Sequence, residues 1–221
     1  MKKIAVLVSG GGTNLQALID AQKTGVLKSG RICLVVSSKP GAYALTRAAS
    51  ERIPTETLDI AEYPDRNDYS RRLAEIVSSY EADLVVLAGF MVIFTPEFIE
   101  RFENRIINVH PSLIPSFCGE GFYGLRVHRA ALDRGVKVSG ATVHFVNSVT
   151  DGGPIILQKA VEVREDDTPE TLQQRIMREA EWKLLPQAAE LFCSGRISVL
   201  GCPGGGSGKV YISEAEENKN K

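Results

Sequence analysis

The sequence lacks several features that mark whole classes of protein. Its longest apolar run, LVVLAGFMVIF (84–94), is shorter than the roughly 20 residues needed to cross a bilayer. Its formal net charge is only −1, which gives no electrostatic reason to expect nucleic acid or an anionic membrane as a partner. With 43% hydrophobic and 24% charged residues, the chain has the composition of an ordinary soluble globular protein.

Cysteine and histidine are both scarce. The cysteines show no C-x-x-C spacing and stand at Cys33, Cys118, Cys193 and Cys202. The three histidines have neither H-x-H nor H-E-x-x-H spacing, so we expect no metal site. The first residues resemble the start of a signal peptide, but they run into glycines and polar residues without a cleavage pattern. A reduced, cytoplasmic protein is the expectation.

Buried strands alternate with helices along most of the chain. Short apolar runs predict strands over residues 3–8, 32–37, 55–60, 83–89, 105–110, 138–146 and 154–163. Helical spacing predicts helices over residues 14–22, 42–50, 67–80, 96–102, 125–135 and 168–195, the last kinked at Pro186. This alternation is typical of an α/β fold with a doubly wound, mostly parallel sheet flanked by helices. We expect one domain over 1–200 and a flexible C-terminal tail over 201–221.

A glycine-rich loop, SGGGTNLQ (9–16), joins the first strand to the first helix. Glycines let the backbone approach a ligand closely, and the free N–H groups of a helix N-terminus attract anions. The loop is not a G-x-G-x-x-G fingerprint, because Leu15 stands where the third glycine belongs. Two interpretations remain open: a tight turn capped by Thr13 or Asn14, and a site for the phosphate of a mononucleotide.

The stretch NVHPSLIP (108–115) ends a predicted strand with two polar side chains. Asn108 and His110 are two residues apart, so both point to the same face of the strand. An asparagine can donate to a developing oxyanion, and a histidine can move a proton near neutral pH. The prolines that follow fix the strand exit. The alternative is a hydrogen-bonded polar pair that packs against a loop.

Asp151 precedes two glycines and a proline in DGGP (151–154). The residue is either a simple Asp-Gly turn or a carboxylate that lies beside His110, orients the imidazole and raises its pKa above the ordinary value. Of the other histidines, we expect His144 to be structural or a secondary contact. We expect His128 to be a partly exposed helix residue.

Five stretches together resemble the glycinamide ribonucleotide formyltransferase family. They are SGGGTNLQ (9–16), DLVVLAGFMVIFTPEF (83–98), NVHPSLIPSF (108–117), GATVHFV (140–146) and DGGPIILQ (151–158). The resemblance runs from about residue 3 to about residue 200 and implies a Rossmann-like formyltransferase fold. It also implies transfer of the formyl group of 10-formyltetrahydrofolate to the amino group of glycinamide ribonucleotide in purine biosynthesis. By the same resemblance we expect the folate to be the co-substrate, with no metal and no covalent enzyme intermediate, and we expect a monomer or homodimer.

The resemblance also implies roles for particular residues. It assigns catalysis to Asn108, His110 and Asp151, and a cis peptide bond to Pro115. It assigns the ribonucleotide to Gly12, Thr13, Asn14, Leu15, Gln16 and Glu181. It assigns the folate to Arg66, Met91, Val92, Ile93, Phe94 and Asn108.

Some positions depart from the family pattern. Val92 stands where some members carry arginine, and Trp182 follows Glu181 where histidine is common. Methionyl-tRNA formyltransferase shares the catalytic residues but carries an additional RNA-binding domain. Formyltetrahydrofolate hydrolase shares them too but needs an N-terminal regulatory domain, whereas the first strand is predicted here from residue 3. A non-enzymatic ligand-binding module on the same sheet leaves the joint presence of the three catalytic residues unexplained.

Overall fold

The computed structural model describes residues 1–201 and 208–214. Along the chain, the strands of the main sheet are β1 (Lys2–Val8), β2 (Gly30–Ser37), β3 (Thr55–Thr57), β4 (Leu84–Leu87), β5 (Ile106–His110), β6 (Val138–Phe145) and β7 (Ile155–Glu162). The helices are α1 (Thr13–Thr24), α2 (Tyr43–Ser50), α3 (Arg66–Ser79), α4 (Pro96–Arg101), α5 (Leu125–Arg134), α6 (Pro169–Ile176) and α7 (Trp182–Cys193).

The seven strands form one mostly parallel sheet, as the sequence predicted. Their order is β3-β2-β1-β4-β5-β6-β7. The first five strands in this order are parallel, whereas β6 pairs antiparallel with both β5 and β7. The chain moves outward from β1 to β3 and then crosses to the other side through β4. The point where the strand order reverses therefore lies between β1 and β4, and in open α/β sheets this is where ligands bind.

Side chains on the two faces of the sheet form two separate cores. One core contains Leu15 and Leu18 of α1 together with apolar residues of α2, α5, α6 and α7. The other contains Tyr69 and Leu73 of α3 and Phe98 of α4. In β5, Ile107 packs in the first core and Ile106 in the second. Because strand side chains alternate, Asn108 and His110 take the same face as Ile106.

The helical segment at 169–193 is less regular than the sequence predicted. Thr168 caps α6 through its side chain, and Pro169 occupies the first turn. A π-helical turn, Met177–Glu181, separates α6 from α7. Pro186 lies inside α7. Such a turn brings one extra residue into the helix and often marks a functional site, and here it ends at the buried Glu181.

Part of the predicted C-terminal tail is ordered. Two further strands, β8 (Ile197–Leu200) and β9 (Lys209–Ile212), pair antiparallel in a separate small sheet. Val210 of β9 packs against the first core. Residues 208–214 thus differ from the expectation of an unpacked tail, because the side chain of Val210 contacts the first core. The rest of the tail, 202–207 and 215–221, lies outside the described residues.

No helix within residues 1–201 and 208–214 combines the length and apolar character needed to span a bilayer.

Candidate active site

The predicted catalytic residues meet at the end of β5. His110 Nδ1 lies 3.5 Å from Asp151 Oδ2. Asn108 Nδ2 donates to His144 Nε2 at 3.3 Å, and the same nitrogen of His144 lies 3.6 Å from Asp151 Oδ1. Asn108, His110 and Asp151 are therefore joined in one polar cluster, with His144 between the amide and the carboxylate.

His144 is a secondary contact of this cluster, which is one of the two roles expected for it from the sequence. It lies directly opposite Asn108 in the antiparallel pairing of β5 with β6. Its Nδ1 donates to the Phe145 carbonyl at 2.8 Å, which leaves Nε2 to accept from Asn108. In TVHFV, residues with side chains on opposite faces alternate, as is typical of a strand. The contact of His144 with Asn108, however, follows only from the register of β5 against β6.

The loop after β5 also contacts the cluster. His110 Nε2 donates to the Phe117 carbonyl at 2.9 Å. The Gly119 N–H donates to Asp151 Oδ2 at 2.9 Å. The Ile114–Pro115 peptide bond is cis, as the resemblance implied. Both loop contacts use backbone atoms, so no side-chain pattern in the sequence signals them.

The prediction that the pKa of His110 lies above its ordinary value is wrong. Only 4% of the residue is exposed, and this burial lowers the pKa of His110 more than the nearby Asp151 and the Phe117 carbonyl raise it. Burial also opposes ionisation of Asp151. Contacts with His144, His110 and the Gly119 amide outweigh it, and the pKa of Asp151 lies below its usual value. Asp151 is therefore a carboxylate at neutral pH.

The prediction for His128 is also wrong. It is fully buried in α5 rather than partly exposed, and neither ring nitrogen has a hydrogen-bond partner within the described chain. Burial lowers its pKa to about 4, with a further contribution from His110. The helical spacing of α5 places His128 next to Val127 and one turn from Ala131, which are also buried. This apolar spacing is the sequence pattern from which the burial of His128 could have been predicted.

The glycine loop places the N-terminus of α1 at the end of β1, next to the point where the strand order reverses. Gly12 adopts the left-handed conformation, and a Cβ there would lie 2.6 Å from Ala44 Cβ, so only glycine fits. The first free N–H groups of α1 belong to Thr13, Asn14 and Leu15. The Leu15 side chain is buried in the first core, which leaves its backbone N–H as the group available to a ligand.

Asn14 and Glu181 form a buried pair behind the glycine loop. Asn14 Nδ2 donates to Glu181 Oε2 at 2.7 Å, and Asn14 Oδ1 has no partner within the described chain. Burial raises the pKa of Glu181 to about 7, although the Asn14 hydrogen bond opposes this shift. Gln16 is engaged elsewhere: its side chain contacts Asp20 and Arg47.

The predicted folate segment follows β4. Met91 and Ile93 are 52% and 55% exposed, so their apolar side chains are free to contact a ligand. Phe94 stacks between Phe90 and Phe98, and Val92 packs against the second core. Arg66 is the exposed first residue of α3.

The described part of the chain has no cluster of side chains that could bind a metal ion. Residues 1–201 and 208–214 contain no group of three or more His, Cys, Asp or Glu side chains arranged to hold a metal ion.

Comparison with known proteins places the chain in a family. The family model described as formyl transferase matches residues 2–189. The chain is 40% identical over 197 residues to phosphoribosylglycinamide formyltransferase of Haemophilus influenzae, covering 89% of this chain and 90% of that protein. It is 41% identical over 208 residues to the trifunctional purine biosynthetic protein adenosine-3 of Gallus gallus, covering 94% of this chain but 20% of that protein's length.

A solved structure agrees with these sequence matches. Glycinamide ribonucleotide transformylase 1 from Symbiobacterium toebii superimposes with a TM-score of 0.88 at 43% identity, covering 97% of this chain and 95% of that one. The chain belongs to the formyl transferase family, in the group that contains the phosphoribosylglycinamide formyltransferases.

Proposed function

We propose that the protein transfers the formyl group of 10-formyltetrahydrofolate to the amino group of glycinamide ribonucleotide, in purine biosynthesis. The observation that carries this proposal is the cluster of Asn108, His110 and Asp151 at the end of β5, the strand next to β4, which borders the point where the strand order reverses. The names of the relatives that the chain resembles support the choice of substrates.

The ribonucleotide binds at the glycine loop in this proposal. Its phosphate accepts hydrogen bonds from the free N–H groups at the start of α1, with Gly12, Thr13, Asn14, Leu15 and Gln16 surrounding it. Asn14 Oδ1 needs a donor, and sugar hydroxyls supply donors. Glu181, held by Asn14, accepts from a second hydroxyl.

The folate binds after β4. Met91 and Ile93 offer exposed apolar surface to its ring system, beside the stacked Phe94 and the partly buried Val92. Arg66, at the start of α3, supplies a positive charge for the carboxylates of the folate. The formyl group then reaches Asn108.

The reaction is a direct transfer. The substrate amine attacks the formyl carbon, and the negative charge of the tetrahedral intermediate develops on the former carbonyl oxygen. Asn108 and His110 donate to that oxygen, which replaces the Phe117 carbonyl as the acceptor for His110 Nε2. The amine loses a proton, the bond from carbon to the folate nitrogen breaks, and the proton reaches that nitrogen. Asp151 offsets part of the lowering of the His110 pKa by burial and so favours the protonated imidazole.

An acceptor assay tests the proposal. The purified chain is given 10-formyltetrahydrofolate with glycinamide ribonucleotide, with methionyl-tRNA, or with water alone as acceptor. We expect formyl transfer to the ribonucleotide only, and an Asn108→Ala variant about 10²–10³ slower in kcat, as for other oxyanion donors. Product formed chiefly from water or tRNA would assign a different activity to the same cluster.

A further inference from the structure

Arg47 of α2 lies against the glycine loop, although the sequence reasoning gave it no role. Its Nε donates to the Gly11 carbonyl at 2.9 Å, and its Nη1 donates to Gln16 Oε1 at 2.9 Å. The guanidinium carbon lies 5.0 Å from the centroid of the Tyr43 ring. These three contacts hold the charged group in one position beside the N-terminus of α1.

The start of α2 is packed directly against the same loop. The Ala44 N–H donates to the Gly10 carbonyl at 3.1 Å. Gly12 lies so close to Ala44 that it has no room for a side chain. Arg47 is one turn further along α2, so the position of its guanidinium is fixed relative to the free N–H groups of Thr13 and Asn14.

Among the described residues, Arg47 has few hydrogen-bond partners for its side chain. A guanidinium carries five N–H donors, and the contacts above occupy two of them. Within residues 1–201 and 208–214, no carboxylate forms an ion pair with it. Arg47 lines a cavity of about 550 Å³ together with Thr13 and Gln16. Asp20 and Lys183, which carry opposite charges, also line this cavity.

A second observation indicates a ligand at this end of α1. Asn14, the second residue of the helix, is 8% exposed, and its Oδ1 has no partner among the described residues. A buried polar atom without a partner is costly unless a ligand or water completes its hydrogen bonds. The helix end thus combines free N–H groups, an unpaired acceptor and a fixed cation.

We propose that Arg47 binds the phosphate of the acceptor substrate and is the residue by which the enzyme distinguishes the ribonucleotide from its unphosphorylated riboside. The inference rests on the proposed function. Planar guanidinium groups suit phosphate oxygens, and charge-assisted hydrogen bonds are stronger than neutral ones. The backbone N–H groups of α1 position the phosphate, and Arg47 neutralises its charge.

The test compares two ligands and two substitutions. Dissociation constants of glycinamide ribonucleotide and glycinamide riboside are measured by calorimetry for the wild type, Arg47→Met and Arg47→Lys. We expect Arg47→Met to weaken ribonucleotide binding about 10- to 100-fold and to leave riboside binding nearly unchanged. We expect Arg47→Lys to recover part of the loss, because it keeps the charge but not the planar fork.

Equal weakening of both ligands by Arg47→Met would overturn the inference, because Arg47 would then merely hold the loop through Gly11 and Gln16. Unchanged binding of both would overturn it as well. This outcome can be told apart from a failure of the proposed function, in which the wild type would show no formyl transfer to the ribonucleotide. In that case, the affinities of the wild type and Arg47→Met for ribose 5-phosphate and for ribose still test whether Arg47 binds a phosphate.

Discussion

The Ser9 hydroxyl accepts a hydrogen bond from the backbone N–H of Met91 at 3.1 Å. The same oxygen lies 2.6 Å from the hydroxyl of Ser38, which is buried directly after β2. A single side chain thus connects the glycine loop after β1 to the predicted folate segment after β4. Since Met91 itself is exposed, this bond is a restraint on the position of that segment.

Removing this restraint is expected to weaken folate binding selectively. Ser9→Ala deletes the acceptor for the Met91 N–H, and loss of one such bond costs about 0.5–1.5 kcal/mol. We expect the KM for 10-formyltetrahydrofolate to rise about threefold to tenfold, with a smaller change in the KM for the ribonucleotide. Steady-state kinetics with each substrate varied in turn measures this. A Ser9→Thr control keeps the hydroxyl, and equal effects of Ser9→Ala on both KM values would contradict the expectation.

Asp151→Asn is expected to lower the pKa of His110 further. Burial already holds that pKa below its ordinary value, and Asp151 opposes this effect. Without the carboxylate, less imidazolium is present at neutral pH, and we expect kcat to fall by about 10² or more, with both KM values little changed. NMR titration of His110 in both proteins checks the cause. Titration at the same pH in both would show that the charge of Asp151 does not control the protonation of His110.

Glu181 is expected to make stability depend on pH near neutrality. Its pKa is about 7 in the folded protein, against an ordinary value of 4.5, because it is buried. Between these values the folded state binds a proton that the unfolded state releases, so stability is lost as pH rises through this range. Glu181→Gln removes this dependence.

Thermal unfolding across pH 4.5 to 7 compares the wild type with Glu181→Gln. The wild type is expected to lose Tm relative to the variant as the pH rises. Glu179→Gln, an exposed change in the same π-helical turn, serves as the control. Parallel curves for the wild type and Glu181→Gln would contradict the assigned pKa.

His128 is expected to have the opposite effect on the acid side. Its pKa of about 4 lies below the ordinary 6.5 because of burial. Protonation therefore favours the unfolded state, and stability falls as the pH drops from 6.5 toward 4. We expect His128→Leu to reduce this acid-induced loss of Tm, whereas Arg129→Gln, an exposed neighbour on α5, leaves it unchanged. An identical acid profile for His128→Leu would contradict the expectation.

The sequence predicted the fold better than it predicted the electrostatics of the site. Continuous apolar runs such as residues 3–8 identify buried parallel strands, because burial on both faces leaves little room for polar residues. The two-residue spacing of Asn108 and His110 gave their common face. The pKa of His110 depends instead on burial by a loop that contacts it through the Phe117 carbonyl, and backbone contacts leave no residue pattern. The π-helical turn before Trp182 likewise has no simple signal.

Truncation after Gly201 is expected to lower stability but not activity. It removes β9, which pairs with β8, and it removes Val210 from the first core. A loss of about 1–2 kcal/mol would lower Tm by about 2–8 °C for a chain of this size, while we expect kcat to change little because neither β8 nor β9 contributes a residue to the polar cluster around His110. A chain ending at Glu214 keeps both strands and is the control. An unchanged Tm after truncation at Gly201 would show that β9 adds no stability.

The edges of the main sheet have a consequence for solubility. The edge strand β3 has only three residues, Thr55–Thr57, all exposed and with a glutamate in the middle. At the opposite edge, β7 carries the exposed Lys159 and ends at the exposed Glu162. Short edge strands and charged side chains discourage the addition of a strand from another molecule. These edges therefore disfavour edge-to-edge pairing between molecules, and so aggregation of this wide, apolar sheet, when the protein is concentrated or newly folded.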